Sequence, residues 1–170
     1  MPFSFTKVAE PLILKGWNVT KVKTHRGSDG EGFNAELLFN RERVAHVLND
    51  GGGGCNIYYW MKGKEAGNEV AAKQFRDDCK ALPVEVYEGI TINPDEDMGM
   101  DYLTFEFAMV LQIKKLAKKE ILFLKADETL EVGEKVQYRR WKTPYSAAAA
   151  SALRAKFPAC RILNEELQYV

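Results

Sequence analysis

The first third of the chain alternates between short apolar segments and polar turns. Four segments rich in β-branched and aromatic residues are separated by the turn sequences RGSDGEG, NRER and NDGGGG. This spacing predicts four antiparallel strands joined in chain order, a β-meander. The predicted strands are Trp17 to Thr24, Phe33 to Phe39, Arg43 to Leu48 and Ile57 to Met61. The inward side chains predicted from their alternation are Val19, Val22, Leu37, Phe39, Val44 and Val47.

The hydrophobic period changes after the fourth predicted strand. Apolar residues at steps of three to five predict an amphipathic helix over Lys64 to Leu82, which Pro83 ends. We expect Val70, Phe75 and Cys79 to form its apolar face and to pack on the meander.

The C-terminal half predicts one more run of alternating elements. A long apolar helix over Met98 to Lys119, with acids at its start and lysines at its end, should be the most buried element. The other predicted elements are a strand at 84–92, strands Ile121 to Lys125 and Lys135 to Trp141, a helix over Tyr145 to Phe157 and a strand Arg161 to Leu163. The order β-α-β-β-α-β is that of a ferredoxin-like unit.

These elements predict an α+β fold, in which helices cover an N-terminal antiparallel β-meander and a β-α-β-β-α-β segment follows. The 170 residues fit a single domain over 1–170. A division into subdomains, with the meander and its helix at 1–82 and the ferredoxin-like order at 83–170, is the alternative. The oligomeric state stays open and includes a homo-oligomer.

Composition places the chain among ordinary globular proteins. It is 46% hydrophobic and 28% charged, without an apolar run near the roughly 18 residues of a membrane span. We therefore expect a soluble protein with no membrane partner, and a cytoplasmic one because the N-terminus lacks a secretory pattern. The three cysteines have no CxxC spacing, which indicates neither a disulfide framework nor a zinc site. No metal and no cofactor are predicted.

Charge is balanced overall but unevenly distributed. Lys and Arg against Asp and Glu give +1 for residues 1–60, −6 for 61–113 and +5 for 114–170. A nucleic-acid binder usually shows a marked basic excess, and only the last third of this chain has one. The charge pattern favours other partners.

The sequence NDGGGGCN contains more glycine than a hairpin turn requires, since Asn-Asp-Gly alone would form one. Consecutive amides could bind a phosphate or carboxylate, or a flat backbone could face a partner; a simple mobile connection is the alternative. In a meander, the first and third turns lie at the same end of the sheet. This places the loops 25–32 and 49–56 together. The predicted ligand-binding residues are His25, Arg26, Asp50, Gly51, Gly52, Gly53, Gly54 and Asn56.

Catalytic residue types are scarce. Cys55 and His25 could act as nucleophile and base, which would make the protein a small hydrolase or nucleotide-modifying enzyme. His46 lies within a predicted strand and is better explained as a sheet-face residue. The acidic run at 93–104 departs from a calcium loop, because Met98 replaces the required glycine and Thr104 the final glutamate. The sequence favours binding over catalysis.

A second patch interleaves cations with aromatic side chains. Such a pattern can stack bases and neutralise phosphates, although on a strand its members are divided between the two faces. Arginines lying along a sheet edge are the alternative explanation. The patch consists of Tyr138, Arg139, Arg140, Trp141 and Lys142, and it would serve a nucleic-acid-binding module.

Two segments resemble known proteins. The hairpin sequence VAHVLNDGGGGCN and the C-terminal TPYSAAAASALRAKFP followed by ILN are similar to parts of small proteins carried by bacteriophages and other mobile elements of bacteria. No activity or site residues of that group transfer to this chain. The resemblance implies a non-enzymatic binding protein in the host cytoplasm. Such a viral protein would counteract host defence by binding a host protein or an anionic, nucleotide-like ligand through glycine-rich loops.

Overall fold

The computed structural model describes residues 4, 6–61, 67–128 and 138–167. They form a mixed α+β fold, as the sequence predicts, in which a short helix precedes the meander and further helices and two small sheets follow it. The helices are α1 (Glu10–Leu14), α2 (Gly67–Lys80), α3 (Glu96–Ala117), α4 (Ala147–Lys156) and α5 (Leu163–Glu166). The strands are β1 (Trp17–Arg26), β2 (Glu31–Phe39), β3 (Glu42–Asn49), β4 (Ile57–Trp60), β5 (Glu85–Tyr87), β6 (Ile90–Ile92), β7 (Ile121–Leu124), β8 (Arg139–Trp141) and β9 (Arg161–Ile162).

The N-terminal sheet is a sequential antiparallel meander in the order β1-β2-β3-β4. Its first hairpin pairs Trp17 with Phe39 at one end and Arg26 with Glu31 at the other. β1 is therefore longer than predicted, because Arg26 still pairs across the hairpin and only residues 27–30 form the turn. A bulge with a positive φ of 54° at Lys21 interrupts the register of β1.

The inner face of the meander forms the main hydrophobic core. All six side chains predicted to point inward lie in this core or pack against it. Phe75 of α2 is fully buried there and meets Trp17 edge-on at a ring distance of 4.8 Å. Among the buried strand residues of this core, the sequence reasoning missed Trp17, Phe33, Ala35 and Ala45.

Helix α2 covers the meander with a narrower face than expected. Phe75 and Cys79 are fully buried, whereas Val70 is 64% exposed, so its predicted inward position is wrong. At about 100° per residue, Val70 and Cys79 lie on opposite sides of a helix. Ala72 is the buried residue of the preceding turn. The predicted residues 64–66 of this helix lie outside the described residues.

Helix α3 connects the meander to the C-terminal sheet. It begins after Asp95, whose side chain accepts a hydrogen bond from the Met98 amide as an N-cap. In the described part of the chain α3 has the most buried residues, eight in number. Every residue of β7 is buried, however. The fraction of buried residues is therefore higher in β7 than in α3, the helix that was expected to be the most buried element.

The C-terminal half departs from a single ferredoxin-like sheet. The predicted strand at 84–92 is a separate hairpin of β5 and β6, and β7 lies between β8 and β9 in another sheet. β7 pairs antiparallel with both neighbours. Residues 135–137 of the predicted strand before Trp141 lie outside the described residues. Within the described ranges, no helix is long and apolar enough to cross a membrane.

Candidate functional site

The two glycine-containing loops of the meander meet at one end of the sheet. The Asp29 amide donates a hydrogen bond of 2.8 Å to the Gly51 carbonyl, and the Gly27 amide donates one of 2.8 Å to the Gly30 carbonyl. The juxtaposition expected from the meander order is therefore present, with the loops in direct contact. We call the surface formed by residues 25–32 and 49–56 the loop end.

Close backbone approach explains part of the glycine content. Gly51 is buried with a φ of +70°, and a Cβ there would lie 2.8 Å from the Gly32 nitrogen and 2.9 Å from the Gly27 Cα. A Cβ at Gly27 would lie 2.5 Å from the Asp50 carbonyl oxygen. Side chains at these positions would force the loops apart.

The remaining glycines of the loop differ from one another. Gly53 has a φ of +77°, and a Cβ there would come within 2.6 Å of an Asp29 carboxylate oxygen. Gly54 has no heavy atom within 4 Å of its Cβ position and does not have a positive φ. Close packing or a positive φ therefore explains Gly51 and Gly53. The two glycines that neither reason explains are Gly52 and Gly54, and both are exposed.

Side chains of the loop itself occupy two of the amides that could have bound an anion. The Gly51 amide donates to Asn49 Oδ1 at 2.9 Å, and the Gly52 amide donates to Asp50 Oδ1 at 2.8 Å. The Asn49 amide group also donates to Asn56 Oδ1 at 2.9 Å, which closes the base of the loop. A phosphate or carboxylate would have to displace the Asp50 carboxylate from its amide.

The two basic residues proposed as ligand contacts, His25 and Arg26, lie at the exposed end of β1. Residues 24–31 line an open depression of about 630 Å³, which includes His25 and Arg26 together with Asp29 and Glu31. The His25 ring lies against Gly32, where a Cβ would be 2.5 Å from Nε2. The depression therefore combines positive and negative groups.

The other end of the tetraglycine loop is fixed to the first turn of α3. The Asn56 amide donates to Asp97 Oδ1 at 3.1 Å, and the Tyr58 hydroxyl donates to the Glu96 carbonyl at 2.8 Å. Since Asp95, Glu96 and Asp97 start α3, the loop end adjoins a group of carboxylates. This surrounding charge disfavours an anionic ligand.

Asp97 also determines the chemistry of the exposed cysteine. Its hydrogen bond and its negative charge raise the pKa of the Cys55 thiol above the ordinary value. A nucleophilic cysteine needs the opposite shift, since the thiolate is the reactive form. The environment of Cys55 thus opposes the nucleophilic role considered from the sequence.

The acidic run at the start of α3 supplies the N-cap of the helix, Asp95, and the carboxylate of Asp97 that accepts the Asn56 amide. In the described parts of the chain, no group of three or more His, Cys, Asp or Glu side chains is arranged to hold a metal ion. Partial desolvation of the carboxyl group, together with the charges of Asp97 and Asp95, raises the pKa of Asp101 to about 6, although the residue as a whole is solvent-exposed. His46 is exposed on its strand, and its ring centroid lies 6.2 Å from that of Tyr59 on the neighbouring strand, as expected of a sheet-face residue.

The arginines of the second patch are held in ion pairs. Arg139 makes a bidentate pair with Glu128, its closest contact being 2.6 Å. Arg140 forks onto Glu120 with contacts of 2.6 and 2.8 Å. A nucleic acid would have to compete with these carboxylates for the guanidinium groups.

The aromatic members of the patch are also engaged in packing. The Tyr138 hydroxyl accepts a hydrogen bond of 2.8 Å from Gln112, and Trp141 packs partly buried against the cluster that holds Phe123. Lys142 is exposed. The five residues are consecutive in sequence, but most of their polar and aromatic groups already contact other residues of the protein. Few of these groups are therefore available to a nucleic acid.

The sequence reasoning missed the surface formed by β5 and β6. The signal that a hairpin and not one strand lies there was the two-residue turn at Glu88 and Gly89 between the short strand segments EVY and ITI. Comparison of the chain with protein-family models, with curated proteins and with solved structures finds no match.

Proposed function

We propose that this protein acts by binding, without chemistry of its own, and that the loop end is its recognition surface. The observation that carries the proposal is the hydrogen bond from the Asp29 amide to the Gly51 carbonyl, which joins two loops distant in sequence. Glycine at the contact points allows this approach. A surface organised before binding loses less conformational entropy on association.

A host protein is the partner that the geometry favours over a small anion. Asn49 and Asp50 occupy the amides of the tetraglycine loop, and carboxylates of α3 lie next to it. A protein partner can use the exposed polar side chains of both loops without displacing these groups. The second candidate, an anionic nucleotide-like ligand, is favoured by the depression of about 630 Å³ beside His25 and Arg26.

The biological setting in this proposal comes from the resemblance to phage and mobile-element proteins. A small phage protein that works in the bacterial cytoplasm by binding would suit a role against a host defence protein. The loop sequence NDGGGGCN, which is part of the resemblance, also belongs to the recognition surface proposed here.

A hydrolase is the less favoured alternative, because Asp97 raises the pKa of Cys55 and so lowers its thiolate content. A nucleic-acid module is less favoured as well, because Arg139 and Arg140 already pair with carboxylates. Neither alternative has an observation in its favour as specific as the contact between the two loops.

The proposal is tested by comparing variants of exposed loop side chains in affinity purification from bacterial lysate. We expect the wild type and Cys55→Ala to retain the same host protein and Arg26→Glu to lose it. Thermal melting of each variant controls for folding. If all three proteins retain the host protein, the loop end is not the recognition surface. If only Cys55→Ala loses it, a role of the Cys55 thiol, as in the enzyme alternative, is favoured.

Native mass spectrometry separates the two kinds of ligand. Protein purified from cells under non-denaturing conditions should carry no small-molecule adduct if the partner is a protein. If the wild type carries an adduct with the mass of a nucleotide and Arg26→Glu does not, the ligand of the loop end is an anionic nucleotide and not a protein.

A further inference from the structure

Helix α3 has a solvent-exposed side opposite its buried one. Its eight buried residues belong to the buried side. On the other side, Asp101, Ala108, Lys115 and Lys118 are exposed, and Leu111 is 52% exposed. We call the following line of side chains the outer stripe of α3: Asp101, Thr104, Ala108, Leu111, Lys115 and Lys118.

The outer stripe has the spacing of a coiled-coil seam. From Asp101 to Lys118 its members follow one another at alternating steps of three and four residues, so they lie on one side of the helix. Lys118 is included because, as the C-cap residue, it keeps helical backbone angles with a φ of −65°. Near the middle, the small side chain of Ala108 leaves space for a residue of a facing helix, and Leu111 follows one turn later. The stripe can therefore pack against a helix that carries a similar seam.

Charge changes sign along the outer stripe. Asp101 lies at one end, and within the described residues its carboxylate has no hydrogen bond and no ion pair. Partial desolvation and the charges of Asp97 and Asp95 raise the pKa of this carboxyl group to about 6. Lys115 and Lys118 lie at the opposite end and have no ion pair in the described part of the chain either. A cation brought to Asp101 by a partner would stabilise its ionised form.

A second copy of α3 complements this stripe if the two helices run antiparallel. Around a two-fold axis between Ala108 and Leu111, the small Ala108 faces Leu111 of the second copy, and Asp101 faces its Lys118. Each contact occurs twice, because a two-fold interface uses the same surface on both chains. A parallel arrangement would instead place Asp101 beside Asp101 and Lys118 beside Lys118. Antiparallel packing also brings the positive start of each helix dipole to the negative end of the other.

We propose that two copies of this protein associate through the outer stripes of α3, packed antiparallel around a two-fold axis. Ala108 and Leu111 form the centre of the interface, and Asp101 pairs with Lys118 of the other copy at both ends. This goes beyond the function proposed for the loop end, because it concerns another surface and another partner. Since Asp97 fixes each loop end to the start of its helix, the dimer carries two loop ends at opposite ends of a helix pair. The 22 residues of α3 make this pair roughly 33 Å long.

The test measures the oligomeric state of the full-length protein by sedimentation equilibrium over a concentration series. We expect the wild type to show a weak monomer–dimer equilibrium, because one helix face buries less than the roughly 1,600 Å² of a standard interface. Asp101→Lys and Lys118→Glu each place like charges at both ends of the interface, and each should weaken the dimer by about tenfold or more. A wild type that stays monomeric into the submillimolar range would overturn the proposal and leave the stripe to a helix of another protein.

An equimolar mixture of the two variants tests the direction of packing. In a mixed dimer the two substituted positions face each other with opposite charges, and the native Asp101 and Lys118 meet at the other end. We therefore expect the mixture to dimerise about as tightly as the wild type, although neither variant does so alone. Within one chain the two positions lie about 26 Å apart along the helix, which is too far for screened charges to compensate each other. A mixture as weakly associated as the separate variants would exclude the antiparallel pairing.

Matched controls reverse exposed charges away from α3. Lys23→Glu and Glu42→Lys lie on the meander and change the net charge by the same amounts, and both should dimerise as the wild type does. Equal weakening in these controls would show an effect of net charge and overturn the assignment to the stripe. Ala108→Arg places a large side chain at the exposed centre of the stripe, and it should abolish the dimer while circular dichroism shows an unchanged fold. A dimer that persists in Ala108→Arg would place the interface elsewhere on the protein.

Discussion

Alanine at Gly51 and alanine at Gly54 should affect stability very differently, although the two glycines are three positions apart in one loop. Gly51 is buried between the loops with a φ of +70°, and a Cβ there would lie within 3 Å of backbone atoms of three residues. Gly54 is exposed, does not have a positive φ and has no heavy atom within 4 Å of its Cβ position. The pair separates packing between the loops from the general flexibility of a glycine run.

The expected loss at Gly51 has two parts. Placing alanine in the left-handed region costs about 1–2 kcal/mol. Relieving backbone contacts below 3 Å by moving the loops costs about 1–3 kcal/mol more, and the hydrogen bond from the Asp29 amide is within the region that must move. We therefore expect Gly51→Ala to lower the free energy of unfolding by about 2–5 kcal/mol. Gly54→Ala should leave it within about 0.5 kcal/mol, or raise it by up to about 1 kcal/mol through a less flexible unfolded chain.

Urea unfolding followed by tryptophan fluorescence and circular dichroism measures this difference. With a slope of about 2 kcal/mol/M, Gly51→Ala should lower the midpoint by about 1 M or more and Gly54→Ala should barely move it. Trp17 is fully buried in the meander core, so its fluorescence reports on the sheet that carries both loops. Equal midpoints for the two variants would refute the conclusion that the loops are held by close glycine packing.

Three further predictions concern other parts of the chain. Partial desolvation and the neighbouring carboxylates raise the pKa of Asp101 to about 6, so its ionisation destabilises the fold as pH rises from about 4 through 6. Asp101→Asn should therefore be more stable than the wild type above pH 6, by at most about 1 kcal/mol because Asp101 is solvent-exposed. Thermal melts of both proteins between pH 4 and pH 7 measure this difference, which should vanish near pH 4. Because Asp97 raises the pKa of Cys55, Asp97→Asn should speed alkylation of Cys55 by iodoacetamide at neutral pH, as followed by mass spectrometry; an unchanged rate would contradict the contact. Phe75→Ala should cost about 3–5 kcal/mol in urea unfolding and Val70→Ala less than about 0.5 kcal/mol, and similar losses would contradict the orientation of α2.

Local sequence patterns determined the meander and its turns. Strand alternation interrupted by glycine-containing turns left few alternatives to sequential hairpins, and the order of hairpins then required turns one and three to meet. This is why the two loops could be expected at the same end of the sheet without coordinates, whereas their direct contact through Asp29 and Gly51 was not predicted. The helix end signal at Pro83 and the acids at the start of α3 are local in the same sense.

Only the tertiary structure decided the chemistry at these positions. Whether Arg139 and Arg140 face solvent or pair with Glu128 and Glu120 depends on groups from other parts of the chain. The pKa of Cys55 likewise depends on a carboxylate more than forty positions away in sequence. Hydrophobic periodicity records which side chains are apolar and at what spacing. It does not record which neighbour covers them, and for that reason the exposed hairpin of β5 and β6 could be read as one more core strand.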